Sequence, residues 1–403
     1  MKVRIHPGIA RGTVDAPPSK SMAHRYLIAA ALAEGCSEIR GVSFSQDIRA
    51  TIGCLRALGV APEIREDTVL ITGGGALCPG AELPCFESGS TLRFLLPLCL
   101  LSGQPARLTG SGRLMERPLG VYETLCREQG FLFRRSAGAV EVAGKLCAGE
   151  YVIPGNISSQ FVTGLIFALL RVPGESHIRL TGEIESRSYI ELTLAALKDF
   201  GFSAGWTAAD TLRICGGLPG TGRIIEVEGD YSNAAFLEAL GTLGGSVAVL
   251  GLRADSLQGD RIYRDYFKQL ESGRPALSLR DCPDLGPVLF AVAAALNGGI
   301  FTETARLKIK ESDRGAAMAA ELLKFGVELQ IEENRILVPG GQLGTPRAIL
   351  RGHNDHRIVM ALAVLCTRTG GSIDGAQAVA KSMPDFFEQL KKLGIEVEID
   401  ENK

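Results

Sequence analysis

The densest chemistry in the chain lies in Pro17-Pro18-Ser19-Lys20-Ser21-Met22-Ala23-His24-Arg25, which runs into the apolar stretch Tyr26–Gly35. Two prolines stiffen the approach, and Ser21 is the expected helix cap. Lys20 and Ser21 then sit where free amides and the helix dipole favour an anion. Arg25, four residues after Ser21, shares its helix face. Similar junctions recur. Ser88-Gly89-Ser90-Thr91 opens an apolar helix, and Gly89 lets a ligand approach the backbone closely. Ser158-Ser159-Gln160 opens another, Arg117-Pro118 opens a third with Pro118 as its expected first residue, and His356-Arg357 opens a fourth. Ordinary capping explains any one of them. Together they put Lys, Arg and Ser at several helix starts, as a site for multiply charged anions needs.

A second cluster is Lys310-Glu311-Ser312-Asp313-Arg314. Lys310 and Arg314 are four apart at an expected helix start, so both can face one pocket while Glu311 points elsewhere; a surface charge ladder is the alternative. Asp284, in Asp281-Cys282-Pro283-Asp284, is either a helix cap or a catalytic carboxylate. His353 and His356 have a spacing a metal could use, but no third ligand set accompanies them, and no metal is expected. Neither a G-x-G-x-x-G fingerprint nor a G-x-x-x-x-G-K-[ST] phosphate loop occurs, which sets dinucleotide dehydrogenases and nucleotide kinases aside.

The elements that position these residues repeat. An amphipathic helix closing on Gly and followed by an alternating strand occurs at Gly59, Gly130, Gly201, Gly273, Gly326 and Gly394, with spacings of 71, 71, 72, 53 and 68 residues. Each Gly reads as a left-handed cap. With 403 residues, six such α+β units imply two domains of three units each. The expected boundaries are 16–222 for one domain and 1–15 with 223–403 for the other, the chain crossing near Ala16–Pro18 and Gly216–Gly220, with the active site in the cleft between them. A net charge of −2 argues against nucleic-acid or membrane-surface binding. Ten cysteines without a C-x-x-C pair, no apolar leader and no membrane-length apolar run indicate a cytoplasmic protein with free thiols.

With these clusters in place, the chain resembles the 5-enolpyruvylshikimate-3-phosphate synthase family, members of the enolpyruvyl transferases. PPSKSMAHR, ESGSTLRF, ERP, NISSQF, ESRSY, DCPD, IKESDR, NDHR and AKSMPDFFEQL occur in that family's order. The resemblance implies an α+β fold of two domains, each with three βαββαβ units, an inside-out α/β prism. It implies transfer of the enolpyruvyl group of phosphoenolpyruvate to the 5-hydroxyl of shikimate-3-phosphate, without cofactor, in the shikimate pathway, and a glyphosate target. Carried over, Lys20, Gly89, Arg117, Gln160, Arg314, His356, Arg357 and Lys381 form the phosphoenolpyruvate site. Lys20, Ser21, Arg25, Ser158, Ser159, Gln160, Ser186, Tyr189, Asp284 and Lys310 hold shikimate-3-phosphate. Asp284, Glu311 and Lys20 carry the catalysis, and a monomer is expected. Glu87 stands where the family usually has Asn, Phe94 where Pro is common, and Arg306 where some members have Asn.

The nearest rival is the sister family that transfers enolpyruvyl to UDP-N-acetylglucosamine. It carries Lys-Asn where this chain has Lys20-Ser21, and a Cys in a loop that has none here, Gln104–Glu116. A non-catalytic paralogue should have lost one of Asp284, Glu311, Lys20 or Lys381, and all are present.

Overall fold

The computed structural model describes residues 1–78 and 80–400. The chain divides into a central unit, Pro18–Glu228, and a terminal unit made of Met1–Pro17 and the chain from Gly229 onward. Each has its own hydrophobic core.

The central unit holds three four-stranded sheets with one wiring. An edge strand lies parallel to a second strand, and two antiparallel strands complete the sheet. One copy runs Glu82–Pro84, helix Gly89–Leu95, Ala106–Thr109, helix Gly120–Glu128, Leu132–Arg135, Ala139–Ala143. The next runs from Glu150–Pro154 through helix Ser159–Leu169 to Thr211–Gly216. The α+β class with three copies per unit stands, but the order within a copy is βαβαββ where βαββαβ was expected. The reason is local: the second helix turns straight into an antiparallel hairpin, so both remaining strands follow it.

That turn is what the repeated glycines make. Gly59, Gly130, Gly201, Gly326 and Gly394 have φ between +68° and +88°. In each case the next amide reaches back five residues, as Val60 N–H does to Leu55 O at 3.0 Å. Gly273 departs from the expectation. Its φ is +169°, extended backbone. Here the hairpin is missing, and helix Tyr263–Ser272 leads to Ala276–Ser278, the edge strand of the next copy. The short spacing of 53 residues marks that omission.

The terminal unit repeats the wiring in two four-stranded sheets and a two-stranded one. Its strands Lys2–Ile5 and Arg11–Asp15 come from the chain start. Lys2–Ile5 pairs with Gly371–Asp374 and Val397–Asp400, and Arg11–Asp15 pairs with Ser246–Leu250. Conversely Ile224–Glu226 serves as edge strand to Gly35–Arg40 in the central unit.

In every copy the first helix is the inner one. Met22–Leu32, Phe161–Leu169, Gly286–Ala294 and His356–Thr367 are buried on all sides. Helices Gly89–Leu95 and Tyr231–Thr242 complete the set. Among the described residues, no helix is long and apolar enough to cross a membrane.

Close packing makes one inner glycine indispensable. A Cβ on Gly164 would lie 2.1 Å from Arg93 O and 2.4 Å from Tyr122 Oη, whereas one on Gly53 meets open space. Gly164→Ala is expected to destabilise the protein by about 2–3 kcal/mol. Gly53→Ala, within helix Gln46–Ala57, should stabilise it by about 0.5–1 kcal/mol. Urea unfolding checks both, and equal midpoints would contradict this packing.

Candidate functional site

The inner helices begin where the expected site residues lie, because their N-termini carry the polar caps of otherwise apolar segments. Ser19, not Ser21, caps Lys20–Leu32, accepting from the Met22 amide. That leaves the Ser21 side chain free of the capping role, while its carbonyl accepts from Arg25 Nη1 at 2.7 Å. Ser88, Ser158 and Asp355 cap their helices in the same way. The Pro118 expectation is corrected: its helix starts at Gly120. Lys310 likewise precedes the helix, which begins at Arg314 because Asp313 caps it through the Ala316 amide.

In the central unit, Lys20 Nζ pairs with Asp47 Oδ2 at 2.8 Å. Arg25 is buried and donates to Thr193 Oγ1 (2.9 Å), Ser21 O and Tyr189 O (2.8 Å). Its guanidinium stands over the rings of Phe94 and Tyr189 at 5.3 and 6.0 Å, which gives Phe94 a role. Burial pulls Arg25 down to about 10. Gly89 and Arg117 are brought together so closely that a Cβ on Gly89 would lie 2.5 Å from Arg117 Nη1. Gln160 joins the same cluster, donating to Ser90 Oγ at 3.0 Å and accepting from Arg93 Nη1 at 2.6 Å. Arg93 is buried, and its hydrogen bonds go to neutral acceptors, Gln160 and Pro118 O. Burial and the nearby Arg117 push its pKa well below the ordinary arginine value. Arg93, a buried guanidinium with neutral acceptors beside a second guanidinium, favours an arriving anion.

The terminal unit centres on two aspartates. Asp284 faces Lys310 Nζ at 3.2 Å, Arg314 Nη1 at 2.7 Å and Arg357 Nη2 at 3.2 Å. It is therefore no helix cap. Burial would raise its pKa, but Arg357, Lys310 and Arg314 hold it well below the usual carboxylate range. Asp355, fully buried, accepts from Arg314 Nε at 2.9 Å, Ser312 Oγ at 3.0 Å and the Arg357 amide at 3.0 Å. The Glu311 carboxylate meets His356 Nδ1 at 3.0 Å and lies near enough to Arg314 to help hold that guanidinium charged. Lys381 Nζ donates to Asn354 O at 2.5 Å. His353 and His356 bond different glutamates, Glu321 and Glu311. Glu311, Asp355 and His356 do lie close enough to share a metal ion, yet Asp355 is committed to Arg314 and Ser312.

Left-handed non-glycine backbone gathers at these loops. Phe86 (φ +51°) precedes Ser88, Ser186 (+55°) starts the helix carrying Tyr189, and His353 (+50°) and Asn354 (+53°) precede Asp355. Such residues cost on the order of 1–3 kcal/mol each and persist where surrounding bonds hold them.

The family described as EPSP synthase (3-phosphoshikimate 1-carboxyvinyltransferase) matches residues 6–390. The chain belongs to the EPSP synthase family. A relative in Clostridium kluyveri named 3-phosphoshikimate 1-carboxyvinyltransferase is 38% identical, with 98% of each chain covered. One of the same name in Clostridium novyi is 36% identical, with 97% of each covered. The solved EPSP synthase of Acinetobacter baumannii matches in fold with a TM-score of 0.78 at 24% identity, covering 99% of this chain and all of that one. The α+β enolpyruvyl transferase fold expected from the sequence is the fold observed. Every expected site residue of this EPSP synthase family member, Lys20 to Lys381, falls inside the matched span.

Sequence reasoning passed over Asp47, Arg93 and Asp355. Arg93 had a signal, a lone charge in the apolar run Leu92–Leu101. Asp355 had one too, an Asp directly before an inner helix.

His24, in the first motif, is no site residue: it is buried, with Nδ1 2.8 Å from Thr51 Oγ1. Burial lowers its pKa from 6.5 to about 3, Asp47 opposing and Lys20 and Arg25 adding to the fall. Between those values the unfolded chain binds a proton that the folded chain does not. Stability is therefore lost as pH falls through that window, by about 1.4 kcal/mol per pH unit from this group. Urea titrations at about pH 7 and about pH 5 should show a flatter decline in His24→Gln than in the parent. Parallel declines would exclude His24 as a source of acid lability.

Proposed function

We propose that this chain transfers the enolpyruvyl group of phosphoenolpyruvate to the 5-hydroxyl of shikimate-3-phosphate, releasing phosphate, as a monomeric cytoplasmic enzyme that needs neither metal nor organic cofactor. The observation that carries the reading is the Asp284 carboxylate, ringed by Lys310, Arg314 and Arg357. Two substrates bearing phosphates and carboxylates repel each other, and guanidinium forks with ammonium groups offset that repulsion.

Lys20, Gly89, Arg117, Gln160, Arg314, His356, Arg357 and Lys381 hold phosphoenolpyruvate. Ser21, Arg25, Ser158, Ser159, Ser186, Tyr189 and Lys310 hold shikimate-3-phosphate, with Lys20, Gln160 and Asp284. The reading thus assigns residues of both units to one reaction. The cations around Asp284 keep it ionised, and ligand anions that draw those cations away leave it free to accept a proton. The 5-hydroxyl gives Asp284 its proton as the oxygen bonds to C2 of phosphoenolpyruvate, and Glu311 supplies a proton to C3. The C2–O bond to phosphate then breaks, C3 gives back a proton, and the enol ether remains. Lys20 stabilises the charge that develops on the bridging oxygen.

Phosphate release from phosphoenolpyruvate with shikimate-3-phosphate, and none with UDP-N-acetylglucosamine in its place, tests the reading. The reverse preference overturns it. Asp284→Asn and Glu311→Gln should each lower turnover by roughly two to four orders of magnitude while ligand binding changes much less. Near-normal turnover in either would remove that residue from the mechanism. Gly89→Ala should push Arg117 aside, raising KM for phosphoenolpyruvate by about tenfold and the glyphosate inhibition constant by more. Equal factors would mean that Gly89 serves only the turn.

A further inference from the structure

The segment that delivers Asp355, His356 and Arg357 is the most strained on the site's edge. His353 and Asn354, neither of them glycine, both hold left-handed backbone, at φ +50° and +53°. Asp355 N–H closes the turn on Gly352 O at 2.9 Å. Two side chains grip it. Lys381 Nζ bonds Asn354 O. The other grip comes from Glu321, on helix Arg314–Lys324 and almost wholly buried. Its Oε1 meets His353 Nε2 at 2.8 Å, and its Oε2 accepts from Lys324 Nζ at 2.7 Å and from the Arg351 amide at 2.8 Å. One buried carboxylate thus ties the strand before the turn, the first strained residue and its own helix together.

We propose that Glu321 and His353 form a clamp that positions the anion-binding residues without touching substrate. The clamp fixes the turn at Gly352–Asp355, and through Asp355 it sets both Arg314 and the start of the helix bearing His356 and Arg357. Buried carboxylates are held only where bonds satisfy them, and here two of the three bonds end on the strained turn or on the strand before it. Of the two side-chain partners His353 is the more exposed, 29% against 22% for Lys324, so its removal disturbs the packing least. The proposal rests on the assignment of Arg314, His356 and Arg357 to phosphoenolpyruvate.

Three variants test it: His353→Ala, Glu321→Ala, and Glu321→Ala combined with His353→Gly. Each alanine variant should raise KM for phosphoenolpyruvate by about tenfold and KM for shikimate-3-phosphate by less than about threefold, because most residues assigned to the latter lie in the other unit. Glycine at 353 takes left-handed backbone without a clamp, so the double variant should return to within about threefold of the parent. A purely structural role for Glu321 predicts a lower Tm, an unchanged KM and no recovery, and that pattern overturns the clamp. Hydrogen exchange separates this from failure of the assigned reaction. In the ligand-free protein, His353→Ala should speed exchange of the Asp355 amide by more than about tenfold with global stability unchanged. If exchange rises as stated while KM does not, the clamp's link to phosphoenolpyruvate is wrong. If exchange itself does not change, there is no clamp.

Discussion

A buried guanidinium costs several kcal/mol unless a counter-charge or a full set of acceptors meets it, and the molecule answers that demand differently in its two units. In the terminal unit the answer is internal. Arg314 lies between Asp355 and Asp284, and Arg357 shares Asp284 with it. In the central unit Arg25 and Arg93 are bonded to carbonyls, a hydroxyl and an amide, all neutral. One half therefore buries positive charge against neutral acceptors, and the other buries it against carboxylates.

The same demand explains the local geometry. Arg314 is straight-jacketed by Asp355, so Asp355 must be placed well, and it follows two residues in strained backbone. Gly164 lets two inner helices touch at Arg93 O, where Tyr122 Oη also donates at 2.7 Å. Strain and close approach are tolerated at the ends of inner helices, where buried apolar length supplies the stability to hold them.

Much of this was legible in the sequence, for identifiable reasons. The repeat could be read because a Schellman turn needs glycine, and five of the six glycines make one. The motif residues could be read because a helix start announces itself by its cap. What resisted reading depends on pairing across the chain. Nothing local ties Glu321 to His353 or Lys20 to Asp47, and nothing near Lys310 says that Asp313 will start the helix three residues later than its charge spacing suggests. The order of strands within a copy was also hidden, since a hairpin and two single strands have the same period-2 pattern.

The pairing of early strands with late ones bears on how the chain is made. The strands Lys2–Ile5 and Arg11–Asp15 leave the ribosome well before their partners Ser246–Leu250, Gly371–Asp374 and Val397–Asp400. The central unit can close once Ile224–Glu226 has emerged, shortly before Ser246–Leu250 and long before Gly371–Asp374 and Val397–Asp400. The later part of synthesis, from Glu226 to Gly371, therefore passes with a central unit able to close and with Lys2–Ile5 still lacking its partners. Vectorial synthesis makes Lys2–Ile5 one of the last strands to pair, and one in need of shelter while it waits.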